Sequence, residues 1–275
     1  MTISHDEHEA QQAQQIKKMT IGTDKYPMPL PPKFDSKQQQ QQFEKQRLAA
    51  AFRVFAHYRF DEGLAGHITL RDCIDPDSFW VNPLAVHFSK IRASDLVRVD
   101  HKGQILEGKH PINNAAFAIH SRIHHARPDV NAVAHAHTTY GRAFSALGEL
   151  LKPISQDACM FYDNHSVFDT FTGVVAEVSE GDMIAEALQG HAAVILQNHG
   201  LLTVGKSVDA ATANFVMLDS CCHSQLLAQA AGELKLIGHD IATKTRQFNG
   251  SDLVTWGNFQ PMYQVMLAQD NSFLD

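Results

Sequence analysis

The spacing of apolar and polar positions changes period several times along the chain, and each change marks an element. Leu48, Ala51, Phe52, Phe55 and Tyr58 recur every three or four residues, which predicts an amphipathic helix ending before Asp61-Glu62-Gly63. Shorter alternating runs follow. His67 to Arg71, Phe79 to Val81 and Leu96 to Val99 predict strands, with Asp100-His101-Lys102-Gly103 as a hairpin turn. Residues 113–126 return to helical spacing, with Phe117, Ile119 and Ile123 set among His120, His124 and His125. Most of these histidines read as solvated or hydrogen-bonded spacers. After the turn Arg127-Pro128-Asp129, Val130 to His137 predicts a strand and residues 138–147 a helix. Ser179 to Asp182 has the form of a capping box opening a helix that stops at Gly190. Residues 192–197 and 201–204 predict strands, and Ser207 to Ala231 a long alanine-rich helix closed by Gly232.

Strands come in runs rather than in strict strand–helix alternation. That pattern predicts an α/β chain with a mixed, mostly antiparallel sheet between helix layers. Residues 1–42, rich in glutamine and proline, form a polar arm expected to stay flexible. The folded domain spans 43–235, and a C-terminal extension, 236–275, packs on it or on a neighbouring subunit.

Composition narrows the function classes. With 275 residues and 44% hydrophobic content the chain can bury one substantial core. A net charge of -7 offers no basic face for nucleic acid. No apolar run reaches the roughly 18–20 residues of a membrane helix. The N-terminus lacks the basic and apolar regions of a secretory signal. Cys73, Cys159, Cys221 and Cys222 form no CxxC pair and read as free thiols in a cytoplasmic protein.

The candidate chemistry is in histidine. A strand sends residues i and i+2 to one face, so His135 and His137 point the same way, as a chelating pair would. In a chain of 17 histidines such a pair alone is weak evidence. A third candidate, His199, ends another apolar run beside Gly200, whose freedom lets the backbone turn sharply. Two ligands from one strand and a third from another present a divalent metal, most simply zinc, with one position open.

Several stretches together resemble the class II aldolase/adducin N-terminal domain family. They are Gly63-Leu-Ala-Gly66-His67-Ile-Thr-Leu-Arg71, Ala116 to Asp129, the His135/His137 pair and Asn198-His199-Gly200. The resemblance implies a three-layer α/β/α sandwich, usually a homotetramer with sites between subunits. It implies activities ranging from zinc-dependent sugar-phosphate aldolases and epimerases to decarboxylases, with non-catalytic adducins beside them. The family's three metal histidines fall on His135, His137 and His199.

This chain departs from the phosphosugar members at several positions. Their general-base Glu falls on Ala116, and their phosphate-holding serine pair on Asn114 and Ala115. The Asn of their Gly-Asn-x-Ser turn is His67, and their Ser/Thr-Gly phosphate turn is Leu84-Ala85. No Tyr stands in register near Gln156-Asp157. A phosphate dianion wants N–H groups and small hydroxyls, so these losses count against a phosphosugar. Retro-aldol cleavage needs a base, whereas decarboxylation needs an electron sink and a later proton donor. A metal without the Glu therefore predicts a lyase, of decarboxylase or aldolase type, acting through a metal-stabilised enolate on a small non-phosphorylated oxo or hydroxy acid. Substitute acids or bases are His67, His120, Asp157 and Tyr162, with Tyr140 and His165 nearby in register. The alternative is an adducin-like binding or scaffold protein with a vestigial metal site.

Overall fold

The computed structural model describes residues 14–23, 25, 28–173 and 177–275. The first part of the polar arm, with Gln11 and Gln12, and Pro27 lie outside the described residues. Eight strands form one sheet: β1 (His67–Arg71), β2 (Ser78–Val81), β3 (Val97–Asp100), β4 (Ile105–Glu107), β5 (Ala132–Ala136), β6 (His165–Phe168), β7 (Ala193–Leu196) and β8 (Gly200–Gly205). Their order is β4-β3-β2-β1-β5-β8-β7-β6. Every neighbouring pair is antiparallel except β6 and β7.

Among the described residues from 28 on, seven helices surround the sheet: α1 (Lys37–His57), α2 (Asn114–Ala126), α3 (Thr139–Ser145), α4 (Val178–Leu188), α5 (Val208–Ala231), α6 (His239–Asn249) and α7 (Asp252–Gln269). One face carries Ile68, Leu70, Trp80, Ala134, Ile195 and Leu201, packed under Phe52 and Phe55 of α1 and Phe215 and Leu218 of α5. On the other, Val133, Val194, Leu196, Leu202 and Val204 meet Ile119 and Ile123 of α2 and Ile184 and Leu188 of α4. The result is the expected α/β/α sandwich. The alternation of strand residues between the two cores is what fixes the register.

Three boundaries differ from the sequence expectation. Helix α1 starts at Lys37, ahead of Phe43, because the Ser36 hydroxyl caps it through Gln39 N at 3.2 Å. Within the glutamine run, Gln40 donates to Glu44 at 2.8 Å, an i,i+4 pair that helps the helix through. Further back in the arm, residues 14–19 are helical, and the Gln15 amide donates to Phe248 O and Ser251 Oγ. Helix α4 begins at Val178 with Glu177 as its N-cap residue and no side-chain cap. Ser179 thus lies inside the first turn, and the capping box is not formed.

The segment 236–275 folds back as α6 and α7. Helix α7 packs on α5 and α1, and Phe259, Met266 and Phe273 enter the main core. A buried two-pronged ion pair from Arg47 of α1 to Asp209 of α5, at 2.9 and 2.6 Å, clamps the same layer, with Gln260 of α7 bonded to both.

Candidate metal centre

The triad is built where β5, the β7–β8 turn and α3 meet. His135 is the penultimate residue of β5 and His137 follows its end, so the two-residue period sends both towards the α2 side of the sheet. His199 arrives from the three-residue turn between β7 and β8. The left-handed residue there is Asn198 (φ +58°), not Gly200. Asn tolerates that region through its short polar side chain. Gly200 has a different use: a Cβ there would meet Ala136 O at 3.1 Å, with both His135 and His137 rings just beyond. The glycine lets β8 approach the two imidazoles.

The three rings converge. Their centroids are 5.1, 4.8 and 4.7 Å apart, and their candidate ligand nitrogens all lie within 4.8 Å of one another. Three imidazoles about 2.1 Å from one ion would have nitrogens about 3.4 Å apart, so small ring adjustments close the set. His135 Nδ1 donates to Leu201 O at 2.8 Å, which fixes the tautomer and leaves the Nε2 lone pair for a metal. Burial, reinforced by neighbouring imidazoles, holds the His135 pKa well below its ordinary value and brings His199 to about 4. His137 is lowered too, by burial and then by Arg142. Neutral imidazoles at neutral pH are the form that binds metal, so the donor set fits a divalent ion. His135 is buried, whereas His137 and His199 are partly exposed, so the centre opens to one side.

Two further predicted residues come to the same place. His67 of β1 pairs directly across from His135 of β5, and their ring centroids are 5.1 Å apart. His120 of α2 meets His67 edge-on at 4.7 Å. Both rings are buried, and desolvation first, then neighbouring histidines, pushes both pKa values well down. Asp157 and Tyr162 are elsewhere in the chain. They flank the short turn Ala158–Phe161, whose Ala158, Met160 and Phe161 belong to the core on the opposite sheet face. The Tyr162 hydroxyl lies 3.1 Å from His239 Nδ1 of α6. His165 is held structurally, accepting from Leu151 N at 2.8 Å through Nε2 and donating to Phe161 O through Nδ1. Tyr140 stacks on His223 at 3.6 Å.

Sequence reasoning passed over two groups beside His137. Arg142 of α3 and Glu62 of the loop before β1 form an ion pair at 2.8 Å, and both act electrostatically on His137. Glu62 and Arg142 are 80 positions apart, and nothing local pairs them. The other is Asp219 of α5, buried, which accepts from the Thr138 hydroxyl and from Gly141 N at 3.1 Å through the same Oδ1. Thr138 is also the N-cap of α3, accepting from Gly141 N at 3.0 Å, so these bonds set the helix that follows His137. Desolvation raises the Asp219 pKa above the ordinary carboxylate value despite those bonds. A raised folded pKa means the group favours folding fully at low pH and loses that contribution as pH climbs through it. Asp219→Asn keeps an oxygen for both donors and carries no charge. It is expected to raise Tm at about pH 8 but not at about pH 4, a difference that thermal unfolding at the two pH values measures.

The model of the class II aldolase and adducin N-terminal domain matches residues 46–226, and the chain belongs to that family. It is 49% identical over 242 residues to Decarboxylase NovR of Streptomyces niveus, covering 87% of this chain and 90% of that protein. It is 48% identical over 242 residues, 87% of each protein, to a Streptomyces roseochromogenus subsp. oscitans protein named 4-hydroxy-3-prenylphenylpyruvate oxygenase/4-hydroxy-3-prenylbenzoate synthase. A solved structure described as L-fuculose 1-phosphate aldolase from Glaciozyma antarctica PI12 matches with TM-score 0.82 at 41% identity, over 87% of this chain and 94% of that one.

Proposed function

We propose that the chain is a metal-dependent carbon–carbon lyase, of decarboxylase or aldolase type, on a small non-phosphorylated oxo or hydroxy acid. The observation that carries this reading is the triad itself: three neutral imidazoles, one locked by Leu201 O, converging beside an open side. A divalent metal held there, with zinc the ion that three imidazoles suit best, would supply Lewis acidity to the oxygens of such an acid. The chain's own residues do the rest. Arg142, held by Glu62 at the rim beside His137, offers a cation for the substrate carboxylate. His67 and His120, buried and neutral behind the triad, are the groups placed to hold and give back a proton. Asp157 and Tyr162 can join a site only from a neighbouring subunit, and Tyr162 only by leaving His239.

The names of the two Streptomyces relatives support this substrate class. One is called a decarboxylase, and the other's name contains a phenylpyruvate, which is a 2-oxo acid. The Glaciozyma antarctica structure, described as an L-fuculose 1-phosphate aldolase, favours a phosphosugar instead. Against carrying that substrate over stand Leu84 and Ala116, where a phosphate site wants a hydroxyl and a general base an acid. Metal analysis of the purified protein, then a screen of 2-oxo acids, hydroxy acids and ketose phosphates for carbon dioxide or aldehyde release, tests the reading. Stoichiometric metal with turnover of an acid supports it. Turnover of the phosphate alone, or a metal-free protein with no turnover, sinks it, and the second outcome favours a binding protein with a vestigial site.

The assembly belongs to the same proposal. A homotetramer would close the open side of the triad with a neighbour's surface, and the exposed Leu147, Leu150 and Leu227 are apolar area for such contacts. Light scattering at micromolar concentration is expected to give four chains, and a monomer would count against it. Four free cysteines support a cytoplasmic setting.

A further inference from the structure

Behind the triad, on the α2 side, lies a set of buried polar groups that the lyase chemistry outlined so far uses only in part. The Thr69 hydroxyl of β1 sits between two rings of α2, 2.8 Å from His120 Nδ1 and 2.9 Å from His124 Nε2. All three side chains are buried, with exposures of 0, 0 and 1%. These bonds use one nitrogen of each ring. Among the described residues the nitrogens left over, His120 Nε2 and His124 Nδ1, are buried and make no hydrogen bond of good geometry, nor do those of His67, although backbone groups of Val130 and Gly66 come close enough to His124 and His67 to act on their pKa values. Buried unpaired nitrogens are costly and rare, and several in one line call for a function or a bound group.

The chemistry of one hydroxyl constrains the pair. Thr69 has a single proton, and among the described residues its oxygen bonds only these two nitrogens. It therefore donates to one ring and accepts from the other. If it donates to His120 Nδ1, then His120 carries its proton on Nε2, and His124 donates through Nε2–H. If it donates to His124 Nε2, both rings carry their protons on Nδ1. The two histidines share the same tautomer in either case, and passing from one state to the other moves a proton at each ring as well as turning the hydroxyl. Burial keeps both rings neutral, with neighbouring histidines and, for His124, Arg71 adding to the effect.

We propose that Thr69 and His124 are positioning residues of a neutral proton relay that reloads His120 behind the metal centre. This rests on the lyase reading, in which a carbon that loses carbon dioxide or an aldehyde must receive a proton. The proton leaves His120 Nε2 for the unprotonated nitrogen of His67, whose ring is 4.7 Å away, centroid to centroid, and adjoins His135, and His67 gives the proton on its other nitrogen to the product carbon. As the His120 N–H bond breaks, the Thr69 O–H proton moves to His120 Nδ1, and the His124 Nε2–H proton moves to Thr69 oxygen. His124 Nδ1 then takes a proton from water. Each of the four groups gains one proton and loses one, so no charge is left in the apolar interior; the hydroxide stays in solvent, and the rings return to their first tautomer by exchange with water before the next turnover. His124 stacks on Phe79, and the half-buried His101 lies on that same ring at 6.0 Å. A relay of this kind lets a site with Ala116 in the general-base position deliver a proton without any buried carboxylic acid.

The test uses zinc-loaded protein labelled with 15N-histidine, read by long-range proton–nitrogen correlation. His120 and His124, assigned through His120→Gln and His124→Gln, are expected to be neutral and to share one tautomer or exchange together. Opposite tautomers, or an imidazolium at either ring, overturn the relay whatever the enzyme's activity. Thr69→Val should uncouple the two rings and lower kcat by about 10- to 100-fold, part of the usual range of general acid–base catalysis, with KM and metal content unchanged. Thr69→Ser, which keeps the hydroxyl, should restore both readouts. Unchanged kcat in Thr69→Val with uncoupled tautomers refutes the relay and leaves the lyase reading standing. A wild type that turns over no acid sinks the lyase reading, and the relay with it as a catalytic device, whatever the tautomers.

Discussion

Replacing His137 with Ala is expected to strip the metal from the purified protein and leave the fold intact. Two imidazoles remain, and the loss in metal affinity should exceed about a hundredfold, the upper end for changes to groups that merely orient a ligand. The fold should survive because His137 lies just beyond β5 and is partly exposed. The proper comparison is with metal-free wild type, since bound metal adds its own stabilisation by mass action. Matching Tm values with near-zero metal, by mass spectrometry, are the expected pair of results. His135→Ala should behave differently. Its ring is buried and donates to Leu201 O, so removing it should cost metal and also about 1–3 kcal/mol of stability. A His137→Ala protein that keeps stoichiometric metal would overturn the triad.

The convergence of the three histidines was legible because each obeys a local rule. His135 and His137 follow the two-residue strand period, and His199 ends a short apolar run at a turn. The sandwich was legible for the same reason, since period changes mark most of its elements. What lay beyond local rules was either reached only through the family resemblance, as His67 and His120 were, or not seen at all. The pairing of His67 with His135 depends on the β1–β5 register, and the Glu62–Arg142 pair joins two loops across the site. His120 and His124 are i,i+4 neighbours facing the sheet, yet with His125 between them the stretch reads as polar. Only the packing of α2 against the sheet separates buried His120 and His124 from exposed His125. Strand β4 is three exposed residues, and β6 is a short parallel edge, so neither has the alternation that announces a strand. Asp157 and Tyr162 reach the site only by register with the family. The structure instead puts their turn on the other sheet face, because Met160 and Phe161 are anchored in that core.

The preference for an uncharged or carboxylate head over a phosphate is the other large effect expected. The turn Leu84-Ala85 keeps the backbone shape of a glycine turn, with Ala85 at φ +63° in the left-handed region. It offers no hydroxyl, and the half-buried Leu84 side chain would desolvate an anion without replacing its hydrogen bonds. In a calorimetric titration a ketose phosphate is expected to bind more weakly than a simple 2-oxo acid, by about tenfold or more. Ala116→Glu is not expected to rescue phosphosugar cleavage. Ala116 is 1% exposed and packs with Phe79, Val81, Val97 and Val99, an entirely apolar group. A carboxylate placed there has no partner, and leaving a charge buried and unpaired costs about 3–5 kcal/mol. The variant should therefore unfold at a markedly lower temperature while still failing to cleave the phosphate. Tight binding of the phosphate with none of the oxo acid, or an Ala116→Glu protein as stable as wild type, would mean that residues 82–116 face the pocket in another register. In that case the acid introduced at Ala116 would reach the metal rather than the core.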